Sequence, residues 1–484
     1  MPQQHLDRLT AIDASFLLQE QDTTHMHIGG VVIFDGPSPD VDEFTRHIGS
    51  RLGLVPRYRQ KVVDGPLHLG RPMWIDDPHF NLAYHVRETA LPAPGSEEQL
   101  RNLTSRVFSQ RLDRSKPLWE MWLVQNLEGG RFALITKTHH SLIDGVAGAD
   151  LLTTLFDLSP DADADADAPG DGLEPWQPTP EPSRAQLAAH ELSGVLADGV
   201  GAATGLLGAV GDPGALLETV RDRATGLGEV VWTALNPPPA SPITVKPGPH
   251  RRFEMVFEDL EDFKRIKRAF DSTVNDVVLA VVAGALAKFF HARGLHTEGV
   301  ELRAAVPISV RAKGQEGAMG NQLTQIVCPL PVYITDPAER VRFCKEAMDG
   351  IKSSKQALGA ETIANAEGFA PPTILAQATR LNFSSRLYSL LVTNIPGPQF
   401  PLYVLGRRLE RMCPVAFLGG DHALAIAVIS YDGSINFGLI ADRDAIPDLD
   451  VLAQGIEASV AELVSLADER EHTGDVSRAN GRTR

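Results

Sequence analysis

The stretch from Phe132 to Gly145, ending His139-His140-Ser141-Leu142-Ile143-Asp144-Gly145, constrains this chain more than any other. Phe132 to Thr136 is an apolar run that reads as a buried strand. Val146-Ala-Gly-Ala-Asp150-Leu-Leu reads as a helix start, so the two histidines stand on a strand-to-helix turn. Neighbours in an extended segment point to opposite faces, so only one of His139 and His140 can face a given pocket. A neutral imidazole held there suits general-base work near pH 7. Asp144 also fits a plainer role, capping the helix that follows. Metal ligation fits poorly, because no Cys or Glu follows at ligand spacing and the His-x-x-x-His helical pair is missing. No metal is expected.

The length of 484 residues exceeds one core of ordinary size and predicts two domains. A formal net charge of −17 argues against nucleic-acid binding, which needs a basic stripe. Part of that charge is local, since Ser159 to Ser183 contains acids and no bases. Cys328, Cys344 and Cys413 are too few and too widely spaced for a disulfide framework and fit a reducing cytoplasm. The start of the chain lacks a basic segment followed by an apolar core, so no signal peptide is expected. No run reaches the ~20 apolar residues of a membrane-spanning helix. Val200 to Gly211 is too short and follows Asp198. A peripheral attachment stays open.

Residues 1–158 alternate strand-like and helical pieces. Trp119 to Val124 and Phe132 to Thr138 form a candidate hairpin joined at Glu128-Gly129-Gly130. Residues 159–183, rich in Pro, Asp and Ala, have nothing to bury and read as a disordered linker. Residues 184–250 form a connector, helical to about 234, with Leu187, Leu192, Val195 and Leu196 on one side and a break at Asp212-Pro213-Gly214. Both a helix packed on the core and a surface that meets a membrane fit it. A second domain spans 251–468. In it, Val274 to Ala292 reads as a helix with Val277, Val281, Ala285 and Phe289 buried, started by a capping-box-like Thr273 and Asp276. Asp432-Gly433 marks a hairpin. The polar tail, 469–484, is expected to be disordered. These patterns alone give a mixed α/β (α+β) fold in two domains.

The His-His-x-x-x-Asp-Gly string resembles the signature of the superfamily that includes chloramphenicol acetyltransferase and peptide-synthetase condensation domains. Further motifs narrow it: Leu6 to Phe16, Met26-His-Ile-Gly-Gly30, Pro117-Leu118-Trp119, Thr273-Val-Asn275-Asp276-Val-Val, Val306 to Arg311, Gly320-Asn321-Gln, Thr393 to Pro398 and Ser430-Tyr431-Asp432-Gly433. In this order they resemble the bacterial wax ester synthase/diacylglycerol acyltransferase family. Ser141 departs from the Ala more usual there. The resemblance implies two chloramphenicol acetyltransferase-like subdomains with the catalytic loop at their interface, in a tunnel open at both ends.

It also implies transfer of a long-chain acyl group from acyl-CoA to diacylglycerol or a fatty alcohol. His140 is then the base and returns the proton to the CoA sulfur in a ternary complex. No cofactor is expected, since acyl-CoA is a substrate. No Gly-x-Ser-x-Gly elbow suggests a covalent route. Asp144 in such proteins pairs with an arginine, for which Arg59 is the candidate. Gly145 leaves room for the pantetheine arm or merely suits a helix start, and His139 is supportive. Pro117, Leu118 and Trp119 line the cavity by resemblance, or begin a strand with a core Trp. Asn275 and Asp276 cap a helix or approach the site. Asn394, Pro396 and Gly397 form a rigid turn that the resemblance puts beside the cavity. Arg311 fits a structural ion pair first and a CoA-phosphate contact second. Asn275, Thr138 and Asn394 are each able to serve as oxyanion donor. A cytoplasmic enzyme on a membrane or lipid-droplet surface follows. Two alternatives are a condensation-type enzyme fed by a carrier-protein thioester and a non-catalytic lipid-binding protein.

Overall fold

A computed structural model describes residues 6–142, 154–161, 176–209, 235, 237–239, 241–309, 323–353 and 384–481. The first half contributes strands β1 (Asp7–Arg8), β2 (His27–Phe34), β3 (Gln60–Val63), β4 (Met73–Asp76), β5 (Val86–Ala90), β6 (Trp119–Leu127) and β7 (Arg131–His139). Its helices are α1 (Ala11–Gln19), α2 (Val41–Arg51), α3 (Leu82–His85) and α4 (Glu97–Phe108). Helix α5 (Arg184–Ala209) follows. The later strands are β8 (Arg251–Asp259), β9 (Leu302–Ser309), β10 (Leu323–Leu330), β11 (Leu390–Pro396), β12 (Tyr403–Val404), β13 (Arg407–Val415), β14 (Leu424–Tyr431) and β15 (Ser434–Asp442). With them come α6 (Leu260–Ala269), α7 (Val274–Ala292), α8 (Pro337–Ser353) and α9 (Leu449–Gly481).

Two six-stranded mixed sheets organise the molecule, in the orders β12-β13-β2-β7-β6-β5 and β10-β9-β11-β14-β15-β8. A small sheet, β1-β4-β3, stands beside them. The expected hairpin forms across β6 and β7, and the Asp432-Gly433 hairpin joins β14 to β15. Helix α7 has the expected bounds, with Thr273 and Asp276 in a reciprocal capping box. It is apolar on nearly every side because it is the core helix of the second half, against α6, α8, α9 and one face of the second sheet. It is long and apolar enough to cross a membrane, but 78% of its apolar window is buried in protein.

A second apolar cluster lies where the halves meet, joining Phe16, Ile33 and Ile135 to Phe253, Met255, Phe417 and Ala427. Polar ties cross the same seam. Arg251 N donates to Ser109 Oγ at 2.9 Å, its guanidinium reaches the Thr23 carbonyl, and Arg101 pairs with Glu254 at 2.8 Å. The sheets touch where β15 crosses β13. A Cβ on Gly438 would lie 1.7 Å from the Pro414 carbonyl oxygen, so only glycine fits there.

Two features differ from the sequence reading. Strands β12 and β13 fall within the 251–468 domain by position, yet β13 pairs with β2 in the first sheet. Helix α9 runs on to Gly481, past the start of the tail expected to be disordered, where Glu, Arg and Ala favour helix. Much of the 159–183 linker and the Asp212-Pro213-Gly214 break lie outside the described residues.

Candidate active site

Strand β7 lies inside the first sheet with β2 on one side and β6 on the other, so its end is fixed from both flanks. His139 N donates to the Leu118 carbonyl at 2.9 Å, and His140 N donates to the Met26 carbonyl at 2.8 Å. Leu142 N closes the turn on the His139 carbonyl at 2.9 Å. The histidine backbones are therefore held by regular ladder bonds and a tight turn. A base that must meet a reacting atom within a few tenths of an ångström needs such a mount.

The two rings part ways. His140 stacks on Phe16, centroids 4.0 Å apart at 15°, and meets the edge of Phe417 at 5.5 Å. It is buried, and desolvation lowers its pKa to about 4. Its Nδ1 is also buried. The residue's own backbone pulls the pKa the other way, but desolvation outweighs it. His140 is thus an uncharged imidazole at neutral pH, set between two aromatic rings.

His139 turns toward β2. Its ring meets His27 edge-on at 6.0 Å, and its Nδ1 accepts from Ser141 N at 3.1 Å and from Ser141 Oγ at 2.7 Å. An acceptor Nδ1 puts the proton of the neutral ring on Nε2, since burial holds its pKa well below the usual value. Beyond it, His27 Nε2 lies 3.6 Å from the buried Glu20 carboxylate, which Arg111 pairs at 3.2 Å. Burial keeps His27 neutral as well, so Glu20 takes its countercharge from arginine. Lys137, also buried, donates to the carbonyls of Val107 and Gln110 at 3.0 and 3.1 Å and faces Glu120 at 3.4 Å. It pins the C-terminal end of α4 to β7, a favourable place for a cation.

The other residues named from the sequence are placed as follows. Pro117, Leu118 and Trp119 are buried in the first half, and the Leu118 carbonyl is the group that reaches the histidine turn. Trp119 donates from Nε1 to the Tyr58 carbonyl at 2.8 Å and stacks on His85 at 4.6 Å, a fully satisfied core residue. Thr138 faces the Tyr58 hydroxyl at 3.4 Å. Asn394 Nδ2 donates to Asn275 Oδ1 at 3.5 Å, which brings the two asparagine motifs of the second half together. Asp276 closes its cap through Oδ2. Pro396 ends β11, and Gly397 N donates to Ser430 Oγ at 3.3 Å. The Arg59 guanidinium lies over the Trp176 ring at 5.2 Å, while Asp144, Gly145 and Arg311 lie outside the described residues. The Arg59–Asp144 pair is therefore not placed.

Sequence reasoning missed Phe417, Ser141's bonds to His139 and the Met26 carbonyl. Phe16 and Met26 do sit in the opening motifs, but nothing in their spacing shows what they touch.

Residues 9–278 match the wax ester synthase/diacylglycerol acyltransferase catalytic domain, and residues 319–464 match the WS/DGAT C-terminal domain. The chain belongs to the wax ester synthase/diacylglycerol acyltransferase family. It is an acyltransferase. Among its family relatives, the Mycobacterium tuberculosis protein named "Probable diacyglycerol O-acyltransferase tgs1" is 32% identical, over 97% of this chain and 98% of that one. The protein named tgs2 from the same species is also 32% identical, over 95% of this chain and 99% of that one. The solved wax ester synthase/diacylglycerol acyltransferase of Marinobacter aquaeolei VT8 superposes with TM-score 0.66 at 27% identity, covering 95% of this chain and all of that one. The first condensation domain of the calcium-dependent antibiotic synthetase shares the fold, with TM-score 0.60 at 18% identity over 96% of each chain. The histidine turn of this family member thus stands on the architecture expected from its motifs.

Proposed function

We propose that the enzyme transfers a long-chain acyl group from acyl-CoA to the free hydroxyl of diacylglycerol, with His140 as the general base. The observation that carries the role of His140 is its setting: a neutral ring, aromatic on two sides, on a turn whose histidine amides bond to Met26 and Leu118 at the starts of the two flanking strands. The names of the mycobacterial relatives support the acceptor.

The chemistry follows from the parts. The acceptor O–H gives its proton to the free ring nitrogen as oxygen attacks the thioester carbon. The tetrahedral oxyanion collapses, the C–S bond breaks, and the imidazolium returns the proton to the leaving sulfur. The products are an ester and free CoA thiol, and no covalent enzyme intermediate is needed. Burial disfavours an isolated imidazolium, but here it forms beside an oxyanion of opposite charge, which offsets that penalty. Asn275 and Asn394, paired at the start of α7 and on β11, are the amides we assign as candidate donors to that oxyanion. Asp144, through Arg59, is assigned to hold the loop rather than to move a proton. The enzyme works in the cytoplasm at the surface of the lipid phase that holds its acceptor.

The test is thiol release from palmitoyl-CoA with dipalmitoylglycerol or hexadecanol, using the wild type and His140→Ala. Release should depend on an acceptor, favour dipalmitoylglycerol, and fall by about 10²–10⁴ in the variant. Preference for hexadecanol would make the enzyme a wax ester synthase. Acceptor-independent release, or a fully active His140→Ala, would overturn the mechanism.

A further inference from the structure

Helix α5 is clasped to the first half through one carboxylate, with two smaller contacts beside it. Glu191, buried, accepts from the backbone amides of Leu67, Leu69 and Gly70 at 3.0, 2.5 and 2.9 Å. Burial works to raise its pKa, but the three amide donors outweigh it and hold the group ionised. A Cβ on Gly65 would lie 2.2 Å from Glu191 Oε2, so the loop needs glycine there to wrap the carboxylate. Arg8 packs on Gly194, and His190 Nε2 donates to the Leu6 carbonyl at 3.0 Å. His190, Glu191 and Gly194 thus form the attached face of the helix.

The opposite face is apolar and open. Leu192, Val195 and Leu196 are exposed, Leu196 to 70%. Leu67 and Leu69, whose amides hold Glu191, are exposed as well, Leu69 to 53%. Between residues 185 and 197 and between 65 and 70, Glu191 is the one formally charged side chain, and its charge is consumed by backbone amides. The helix continues from Gly199 to Ala209 with no charged residue.

We propose that this patch, Leu192, Val195 and Leu196 on one face of the helix, seats the enzyme on an electrically neutral lipid surface that carries its acceptor. The assignment rests on the reading that the acceptor is a lipid. Composition favours a lipid over a protein partner: the patch offers aliphatic tips and no Trp, Tyr or Arg of the kind that anchor protein interfaces. Charge favours a neutral surface. A chain of net charge −17 is repelled by an anionic bilayer, and the patch has no cluster of Lys or Arg to reverse that. Attachment is then by insertion of aliphatic groups and insensitive to salt.

The experiment is flotation of the full-length enzyme with phosphatidylcholine vesicles containing dioleoylglycerol, at low and high salt. It compares the wild type, Leu192→Ser with Leu196→Ser, and Glu191→Gln. The wild type should float equally at both salt concentrations. The double variant should partition at least about tenfold less, because two leucines no longer leave water. Glu191→Gln, which keeps every leucine but weakens the clasp, should also float less. Turnover with hexanol dissolved in water should stay within about twofold in both variants, which separates surface loss from unfolding. Equal flotation of wild type and double variant would overturn the assignment. So would binding that needs anionic lipid and vanishes in salt, or a self-association lost in the variant without any flotation. Failure of the wild type to turn over any acceptor would instead sink the functional reading, since flotation does not depend on it.

Discussion

His140 has a pKa near 4 because its ring is buried between Phe16 and Phe417, and the acid limb of the rate profile should show it. The folded state holds the ring neutral down to that pH, whereas an unfolded histidine protonates near 6.5. Activity, as kcat/KM, should therefore be flat on its acid side from pH 8 to about 6 and fall only toward about 4. An apparent pKa of about 6.5 would remove the burial argument. Stability follows the same sign. Between the two values the unfolded chain binds more protons, so stability is full above about pH 6.5 and is lost as pH falls toward 4. His140 alone accounts for roughly 3 kcal/mol of this, and His25, His27 and His139 act in the same direction. Thermal unfolding followed across that window should show a steep drop in Tm. Ser141→Ala is a milder case: it removes the Oγ contact to His139 but keeps the backbone N–H bond to the same nitrogen. It should cost at most about 1 kcal/mol and leave kcat unchanged, and a tenfold fall in kcat would show that His139 shares in the chemistry.

At the scale of elements, the capping box of α7 sets where Asn275 stands, one residue before Asp276 and within reach of Asn394. Thr273→Ala should lower stability by about 1 kcal/mol and, because the first turn then frays, lower kcat more than it changes KM. Equal kinetics in a destabilised variant would make the Asn275–Asn394 pair purely structural. This helix also shows how much could be read before the fold was known. Its bounds and cap were legible because Thr273, Asp276 and the apolar run are local signals. The hairpin that delivers the histidines was legible for the same reason. The parting of His139 and His140 followed from strand geometry. Two other facts were not legible. Phe417 reaches His140 from more than 270 positions downstream, and Arg59 lies on Trp176; each depends on packing between segments far apart in the chain. The expectation of a tunnel and the assignment of a general base came from the family motifs, since no local pattern contains them.

In the whole molecule, the seam between the halves depends on two sheets pressed together where Gly438 meets Pro414. Gly438→Ala puts a carbon where the Pro414 carbonyl oxygen already lies, so it should destabilise the protein by about 3 kcal/mol and lower activity at temperatures where the fold persists. A variant with unchanged Tm would mean that the sheets slide freely. The crossing of β13 into the first sheet has a consequence for how the protein is made. Val32 on β2 waits for Met412 on β13, so the nascent first sheet leaves the ribosome with its β2 edge unpaired. At 5–20 residues per second the wait is roughly 20–80 s, a long time for an aliphatic strand edge to stay single among other nascent chains. A chain halted by a stop codon before Tyr403 never closes that edge, whatever the quality of its first domain. The half that bears His140 is the first to be synthesised and among the last to be completed.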